Sequence, residues 1–185
     1  ANGEHSAIFY KTDRFSVLDS GNFWLSETPG VPSFGWDAQR YKRVCSWVKL
    51  HDKKAAKDIY VFNVHFDHVA VVARRESGKL MVQKITEIAG GAPVICTGYF
   101  NSTPDTEQIK TMQAFLSDAC LVTKMPPYGP VGTFNAFKFD AELKDRIDYV
   151  FVSAQCGVLK YGVPTDYTDL RYPSDRMPVV VDLSY

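Results

Sequence analysis

The chain has 185 residues, of which 45% are hydrophobic, so it is long enough for one well-buried core and too short for two. Its 21 Lys and Arg residues balance 21 Asp and Glu residues, so the chain has no net positive charge. This excludes binding of a polyanion by overall charge alone, without a localised site. We therefore expect one domain over residues 1–185.

The first part of the chain contains short apolar and aromatic runs that read as strands. They are Ser6–Tyr10, Phe15–Leu18, Asn22–Leu25, Val44–Leu50 and Ile59–His65. Turn residues separate the first three runs, which predicts a meander, and the last two flank a Lys- and Asp-rich stretch, which predicts a hairpin.

A surface helix follows, over about residues 71–89, because apolar positions recur at helical spacing among charged residues until Gly90-Gly91 ends the run. The remaining predicted elements are a strand at Pro93–Thr97, a helix at Asp105–Leu116 and strands at Ile147–Ser153, Val158–Gly162 and Met177–Leu183. This mixture predicts an α+β fold in which two packed, mainly antiparallel or mixed β-sheets are flanked by helices.

Four cysteines, Cys45, Cys96, Cys120 and Cys156, lie far apart with no CxxC pair, which favours buried free thiols over a metal site or a disulfide framework. No apolar stretch approaches the roughly 20 residues of a membrane span, and the first eight residues lack the regions of a signal peptide. We expect a soluble chain, secreted or periplasmic if an N-terminal signal has been removed, and the compartment stays open.

A histidine cluster ends one predicted strand, in the segment Asn63-Val64-His65-Phe66-Asp67-His68. If the strand continued, His65 and Asp67 would share one face and His68 would lie on the other. A histidine at the mouth of a strand can donate a hydrogen bond to a phosphate oxygen. A solvated loop is the alternative interpretation.

Two carboxylates begin or precede hydrophobic strands near the C-terminus. Asp148 opens one such strand, where a buried carboxylate needs a cation or strong donors, and an ion pair with Arg146 or a neighbouring lysine is the structural alternative. Asp175 is a candidate site residue for a related reason. A carboxylate can orient an imidazole that protonates a phosphoryl group or stabilises its charge.

Four segments in this order resemble the endonuclease/exonuclease/phosphatase superfamily of metal-dependent phosphoesterases. They are Asn63–His68, Gly98-Tyr99-Phe100-Asn101-Ser102-Thr103-Pro104, Arg146–Ser153 and Ser174–Val179. The resemblance implies a four-layer α/β/β/α sandwich with its site between the sheets. It also implies hydrolysis of phosphodiesters or phosphomonoesters by in-line water attack, with Mg²⁺ or Mn²⁺ as cofactor.

The resemblance also implies roles for individual residues. The implied site residues are His65, Asn101, Asp148 and Asp175. Asp175 is in addition the candidate metal ligand, and Asn101 would hold the phosphate or the water. Arg43 resembles an arginine that lies near the phosphate in the family, with a plain surface arginine as the alternative.

Two site positions depart from the family pattern. Tyr99 stands where the family usually has an Asp that orients or deprotonates the attacking water, and a phenol with a pKa of about 10 cannot accept that proton near neutrality. Arg176 stands where the family has His. An arginine can clamp a phosphate, which makes Arg176 a phosphate-binding candidate beside Arg43 and Asn101, but it cannot exchange protons near pH 7.

The third departure concerns the N-terminus. The resemblance runs from about Gly3-Glu4 to Tyr185 but covers only about the later two-thirds of a usual domain, so we expect the sandwich to be incomplete at its N-terminal end. Neither Glu4 nor Glu27 has the context of the family's metal-ligating Glu. Since a divalent ion needs several oxygen ligands, metal affinity is expected to be weak.

Two hypotheses follow, and the sequence leaves the choice between them open. The chain is either a phosphoester hydrolase of impaired activity or a catalytically inactive relative or fragment that serves as a binding or structural module. Nucleic acid, lipid and small-molecule substrates all remain open. The aromatic residues Phe34, Trp36 and Tyr41 either line a substrate rim or pack into the protein. Uncovered sheet edges would favour self-association.

Overall fold

A computed structural model describes residues 5–185 of the chain, in which strands and helices mix along the sequence. Their bounds are β1 Phe15–Trp24, β2 Val44–Asp52, β3 Lys57–His65, α1 Val71–Ala89, β4 Val94–Tyr99, α2 Glu107–Phe115, β5 Ser117–Asp118, α3 Ala119–Val122, β6 Asp148–Val152, β7 Gly157–Gly162 and β8 Val180–Ser184. The predicted hairpin of β2 and β3 and the predicted helices are present.

Two sheets organise these strands. Six strands form a mixed sheet in the order β1-β2-β3-β4-β6-β5, in which β3 and β4 run parallel and the other neighbours are antiparallel. The strands β7 and β8 form a second, antiparallel sheet. The predicted α+β class with two sheets and flanking helices is therefore confirmed.

The six-stranded sheet has two buried faces with different partners. On one face, Phe62 and Phe151 belong to the cluster that Met81 and Ile85 of α1 complete. On the other face, Val150 and Val152 of β6 pack with residues of β7 and β8, among them Val158, Tyr161 and Leu183. Since side chains alternate along a strand, this second face also receives the odd-numbered side chains of β3 and β4.

The two main helices are held close together and end as the sequence predicts. A Cβ added to Gly78 of α1 would lie 3.0 Å from the Cα of Gln108 in α2, so a side chain at this position would push the helices apart. Gly90 ends α1 in the left-handed region with φ of 57°, and its N–H donates to the carbonyl of Thr86.

The N-terminal strands differ from the prediction. The two predicted runs Phe15–Leu18 and Asn22–Leu25 belong to a single strand, β1, with a register shift between Val17 and Asp19. Gly21 reads as a turn residue, but a Cβ there would lie 2.9 Å from the indole of Trp47, so this glycine makes room for a ring. The predicted strand Ser6–Tyr10 is wrong, because this segment is not assigned to a strand.

A buried ion pair ties the β5–α3 corner to the start of β6. Arg146 donates to both carboxylate oxygens of Asp118, at 2.9 and 2.8 Å, and the two side chains are 4% and 1% exposed. All four cysteines are free thiols, and Cys45, Cys96 and Cys156 are buried, as predicted. Within residues 5–185, no helix is long and apolar enough to cross a membrane.

Candidate functional site

A row of three polar side chains crosses the six-stranded sheet at one end. His65 pairs with Tyr99 across the parallel β3–β4 ladder, and Tyr99 pairs with Asp148 across the antiparallel β4–β6 ladder. The three side chains occupy the face that looks toward the second sheet. The imidazole and phenol rings lie 4.6 Å apart between centroids and are tilted by 36°.

Arg176 covers this row from the segment before β8. Its guanidinium carbon lies 3.0 Å from the centroid of the Tyr99 ring, and it donates to Asp175 at 3.3 Å. The Tyr99 ring is thus in contact with the His65 imidazole and the Arg176 guanidinium. The two residues that depart from the family pattern touch each other.

Asp148 is held by a threonine, and the predicted alternative of a pair with Arg146 is wrong, because Arg146 pairs with Asp118. The hydroxyl of Thr133 donates to Asp148 at 2.6 Å. Burial raises the pKa of Asp148 to about 6, against the hydrogen bond from Thr133 and the charge of Arg176. This carboxyl therefore changes its protonation state slightly below neutral pH.

Arg43 is a second guanidinium at the same end of the sheet. It is 6% exposed, so the surface alternative is wrong. Its terminal nitrogens lie 3.1 Å from Nδ1 of His65 and 3.1 Å from Nδ1 of His68, and its Nε lies 3.7 Å from Asp67. Strand β3 ends at His65 and the chain turns, which is why His65 and His68 both reach Arg43 rather than lying on opposite faces.

Asp67 stabilises the turn after β3. It accepts hydrogen bonds from the backbone N–H groups of Val69 and Ala70 at 2.8 and 2.7 Å. Burial would raise the pKa of Asp67, but these two donors and the charge of Arg43 hold it below its usual value. Asp67 is therefore an anion that orients Arg43.

Asn101 fastens the loop after β4 to the same turn. Its amide nitrogen donates to the carbonyl of Phe66 at 2.9 Å, while the Phe66 N–H donates to the carbonyl of Tyr99 at 2.8 Å. Asn101 has a φ of 50°, a left-handed conformation that asparagine tolerates better than most residues. The structure places Asn101 beside the row, and its contact with phosphate stays a prediction.

Two residues that sequence reasoning missed support the site. Thr133 is fully buried and bonds to Asp148 through its hydroxyl. Asn135 is 1% exposed, donates from its side chain to the carbonyl of Ser174 and from its N–H to that of Asp175. Both residues lie in a loop rich in Gly and Phe, and no sequence motif around them indicates which distant residues they contact.

Tyr99 has the properties of a neutral phenol at this position. Burial raises its pKa above the usual value for tyrosine, against the charge of Arg176, which lowers it. The ring occupies the space between His65 and Arg176. A neutral phenol is a poor acceptor for a proton from water near pH 7, and whether Tyr99 displaces an attacking water stays a prediction.

The oxygen donors at the row do not fit a divalent metal ion. Among residues 5–185 no group of three or more His, Cys, Asp or Glu side chains is arranged to hold one. Asp148 is committed to Thr133, and Asp175 pairs with Arg176, whose charge repels a cation. Glu27 accepts from the N–H of Trp36, and the segment Gly3-Glu4 lies outside the described residues.

A cavity of about 750 Å³ opens beside Arg43 and His65. Phe34 and Tyr41 line it and are 45% and 44% exposed, and their role as a substrate rim stays a prediction. Trp36 instead packs against the hydrophobic core, as the packing alternative predicts for this residue.

The fold and the row at its edge define a two-sheet α+β domain of the phosphoesterase class. The chain aligns with a mannosyl-6-phosphatase from Bacteroides thetaiotaomicron VPI-5482 at 39% identity and a TM-score of 0.92, over 100% of this chain and 72% of the other. An endonuclease/exonuclease/phosphatase family protein from Bacteroides thetaiotaomicron is 40% identical, with a TM-score of 0.91, over 98% and 70%. The chain belongs to the endonuclease/exonuclease/phosphatase family.

Two further comparisons add less. The uncharacterized protein L388 of Acanthamoeba polyphaga mimivirus is 33% identical over 82 residues, which are 43% of this chain. The match spans 30% of that viral protein, so it carries no statement about the whole protein. No protein-family model matches the sequence.

Proposed function

We propose that this chain binds phosphate esters at the His65–Tyr99–Asp148 row and that its hydrolytic activity is impaired relative to related enzymes. The observation that carries the proposal is the position of two guanidinium groups, with Arg43 against His65 and Arg176 over Tyr99. Guanidinium groups bind phosphate oxygens through paired, charge-assisted hydrogen bonds. His65 is close enough to the first of them to share the same ligand.

The proposed chemistry is in-line attack of water on the phosphorus, with Arg43, Arg176, His65 and Asn101 holding the phosphoryl oxygens. The water oxygen forms a new P–O bond as the ester P–O bond breaks, the proton of the water is released to solvent, and the leaving alkoxide takes a proton from solvent. Asp148 and Asp175 support the positive side chains and do not touch the phosphate. Tyr99 supplies no base, and loss of a general base lowers a rate by about 10²–10⁴-fold. Because the described donors do not fit Mg²⁺ or Mn²⁺, no step is assigned to a metal ion, and the metal role of Asp175 stays a prediction.

The substrate is proposed to be a small phosphomonoester rather than a nucleic acid or a lipid. Similarity to the mannosyl-6-phosphatase supports a sugar phosphate, and the balanced charge of the chain, with 21 cationic and 21 anionic residues, gives no support to a polyanion. Mannose 6-phosphate is therefore the first natural substrate to test. Export from the cytoplasm after removal of a leader stays a prediction that secretion assays of the whole gene product would test.

A catalytically inactive binding module is the second candidate. It is favoured by the contact between Tyr99 and Arg176, since both side chains that depart from the family pattern take part in one packed arrangement. In this case phosphate binding persists without turnover.

Hydrolysis of an aryl phosphate monoester and an aryl phosphodiester separates the two candidates. The purified chain is assayed with Mg²⁺, with Mn²⁺ and with a chelator, beside an Asp175→Ala variant as the control for contaminating phosphatases. Turnover that is lost in the variant supports a working hydrolase, and its loss with the chelator would contradict the absence of a metal role. Turnover equal to that of the variant, together with phosphate binding, supports the binding module. Absence of both turnover and phosphate binding contradicts the proposal.

A further inference from the structure

The cavity of about 750 Å³ beside Arg43 is lined by aromatic and polar side chains that have no part in the proposed binding of phosphate. Its volume lies within the range of about 300–1,000 Å³ that is typical of small-molecule sites. Arg43 and His65 are also among the residues that line it. The cavity is therefore continuous with the proposed phosphate site and large enough for the organic part of an ester.

Aromatic rings form part of the walls. Trp24, Phe34 and Tyr41 line the cavity, and Lys42 lies 5.5 Å from the centre of the Phe34 ring. The Arg43 guanidinium lies 4.8 Å from the centre of the Tyr41 ring, so this cavity-lining ring lies beside the proposed phosphate site. Exposed rings offer flat apolar surfaces on which the C–H face of a ligand ring can lie.

Polar side chains complete the lining. Asn22 of β1 and Ser46 of β2 form a cross-strand pair that lines the cavity, and Arg40 and Lys42 also line it. Among residues 5–185, the lining side chains include Arg40, Lys42 and Arg43 and no carboxylate. Such a lining suits an anionic ligand that has both apolar ring faces and several hydroxyl groups.

We propose that this cavity is the subsite for the sugar ring of a monosaccharide phosphate, with the ring against Phe34 and the phosphate at Arg43 and His65. A sugar ring presents C–H groups on its faces and hydroxyls around its edge, which matches a lining of aromatic rings together with the polar side chains of Asn22 and Ser46. A lipid chain would leave these polar groups without partners, which disfavours it. The inference rests on the proposed function, because it places the phosphate at the same site.

The test is the affinity of the whole chain for mannose 6-phosphate, inorganic phosphate, free mannose and adenosine monophosphate, measured by calorimetry with chelator present so that turnover is not required. We expect mannose 6-phosphate to bind about tenfold more tightly than inorganic phosphate, as one good aromatic contact and a few hydrogen bonds would provide. Phe34→Ala should remove most of this preference. Phe115→Ala, which truncates a phenylalanine of similar exposure on α2, should leave it unchanged.

The outcomes separate the subsite from the proposed function. Equal affinities for mannose 6-phosphate and inorganic phosphate, both lowered by Arg43→Gln, overturn the sugar subsite and leave the phosphate site standing. Tighter binding of adenosine monophosphate than of mannose 6-phosphate overturns the assignment to a sugar. A preference that survives Phe34→Ala also overturns the subsite, and no binding of any phosphate compound overturns the subsite and the phosphate site together. Circular dichroism of each variant checks that it is folded.

Discussion

The Arg176 guanidinium carbon lies 3.0 Å from the centroid of the Tyr99 ring, so the two residues that replace the family's His and Asp form one contact. Tyr99 comes from the end of β4 and Arg176 from the segment before β8, which are distant in sequence. A cation over an aromatic face is attracted to the ring and is partly shielded from water here. Tyr99 and Arg176 therefore stabilise each other through this contact, and the effects of the two replacements on the site are not independent.

This contact predicts energetic coupling between the two positions. In a double-mutant cycle with Tyr99→Leu and Arg176→Gln, we expect a coupling free energy of about 1–2 kcal/mol, from urea unfolding of the four proteins. The exposed pair of Lys42 and Phe34, 5.5 Å apart, is the matched control. Its cycle should give about 0.5 kcal/mol or less. Equal coupling in the two cycles would contradict the prediction.

The contact also predicts how the site responds to reversion. Tyr99→Asp combined with Arg176→His restores the two family residues but supplies no counterpart of the family's metal-ligating Glu, and Glu27 is engaged with the N–H of Trp36. We therefore expect the double variant to hydrolyse aryl phosphates little better than the unmodified chain. Strong turnover by the double variant, measured beside its own Asp175→Ala derivative, would sink this prediction.

Asp148 predicts a dependence of stability on pH. Its pKa is raised from 3.8 to about 6, mainly by burial, so the native state binds the proton more tightly than the unfolded chain does. Stability from this group is therefore lost as the pH rises through about 6. Asp148→Asn has no such loss, and its stability relative to the unmodified chain should increase by about 1 kcal/mol between pH 5 and pH 8.

Chemical denaturation at the two pH values measures this change. The control is Asp140→Asn, which removes an exposed carboxylate and should shift stability equally at both pH values. If Asp148→Asn behaves like this control, the Asp148 carboxyl is not titrating between them.

Local patterns in the sequence determined which elements could be predicted. The helix α1 was predicted at Val71–Ala89 because its apolar spacing and the following Gly90 are both local signals. The strand β1 was broken into two runs because Gly21 looks like a turn residue, whereas its role is to admit the distant ring of Trp47. A glycine required by tertiary packing cannot be distinguished from a turn glycine by its neighbours.

The same distinction applies to the site. The ends of β3, β4 and β6 could be identified from motifs, and the sheet register then brings His65, Tyr99 and Asp148 into one row. The hydrogen bond from Thr133 to Asp148 could not be predicted, because the two residues are 15 positions apart and meet only through the path of the loop between them. The pairing of Arg146 with Asp118 likewise spans 28 positions and no motif marks it.

The buried Arg146–Asp118 pair predicts a large effect on stability far from the row. Asp118→Asn leaves the Arg146 charge without its anion, which should destabilise the fold by about 3–5 kcal/mol in chemical denaturation. Glu142→Gln breaks the exposed pair with Lys144, at 2.7 Å, and should change stability by less than about 1 kcal/mol. Similar effects of the two substitutions would contradict a structural role for the buried pair.

The edges of the sheets predict self-association. Within residues 5–185, strand β1 pairs only with β2, and its Val17 and Leu18 are 42% and 52% exposed, so it offers a partly apolar edge to a second copy. We expect light scattering to show a mass that rises with protein concentration. Leu18→Lys should weaken this rise, whereas Leu121→Lys, at a 68% exposed leucine of α3, should not. A monodisperse monomer at the highest concentration would contradict the prediction.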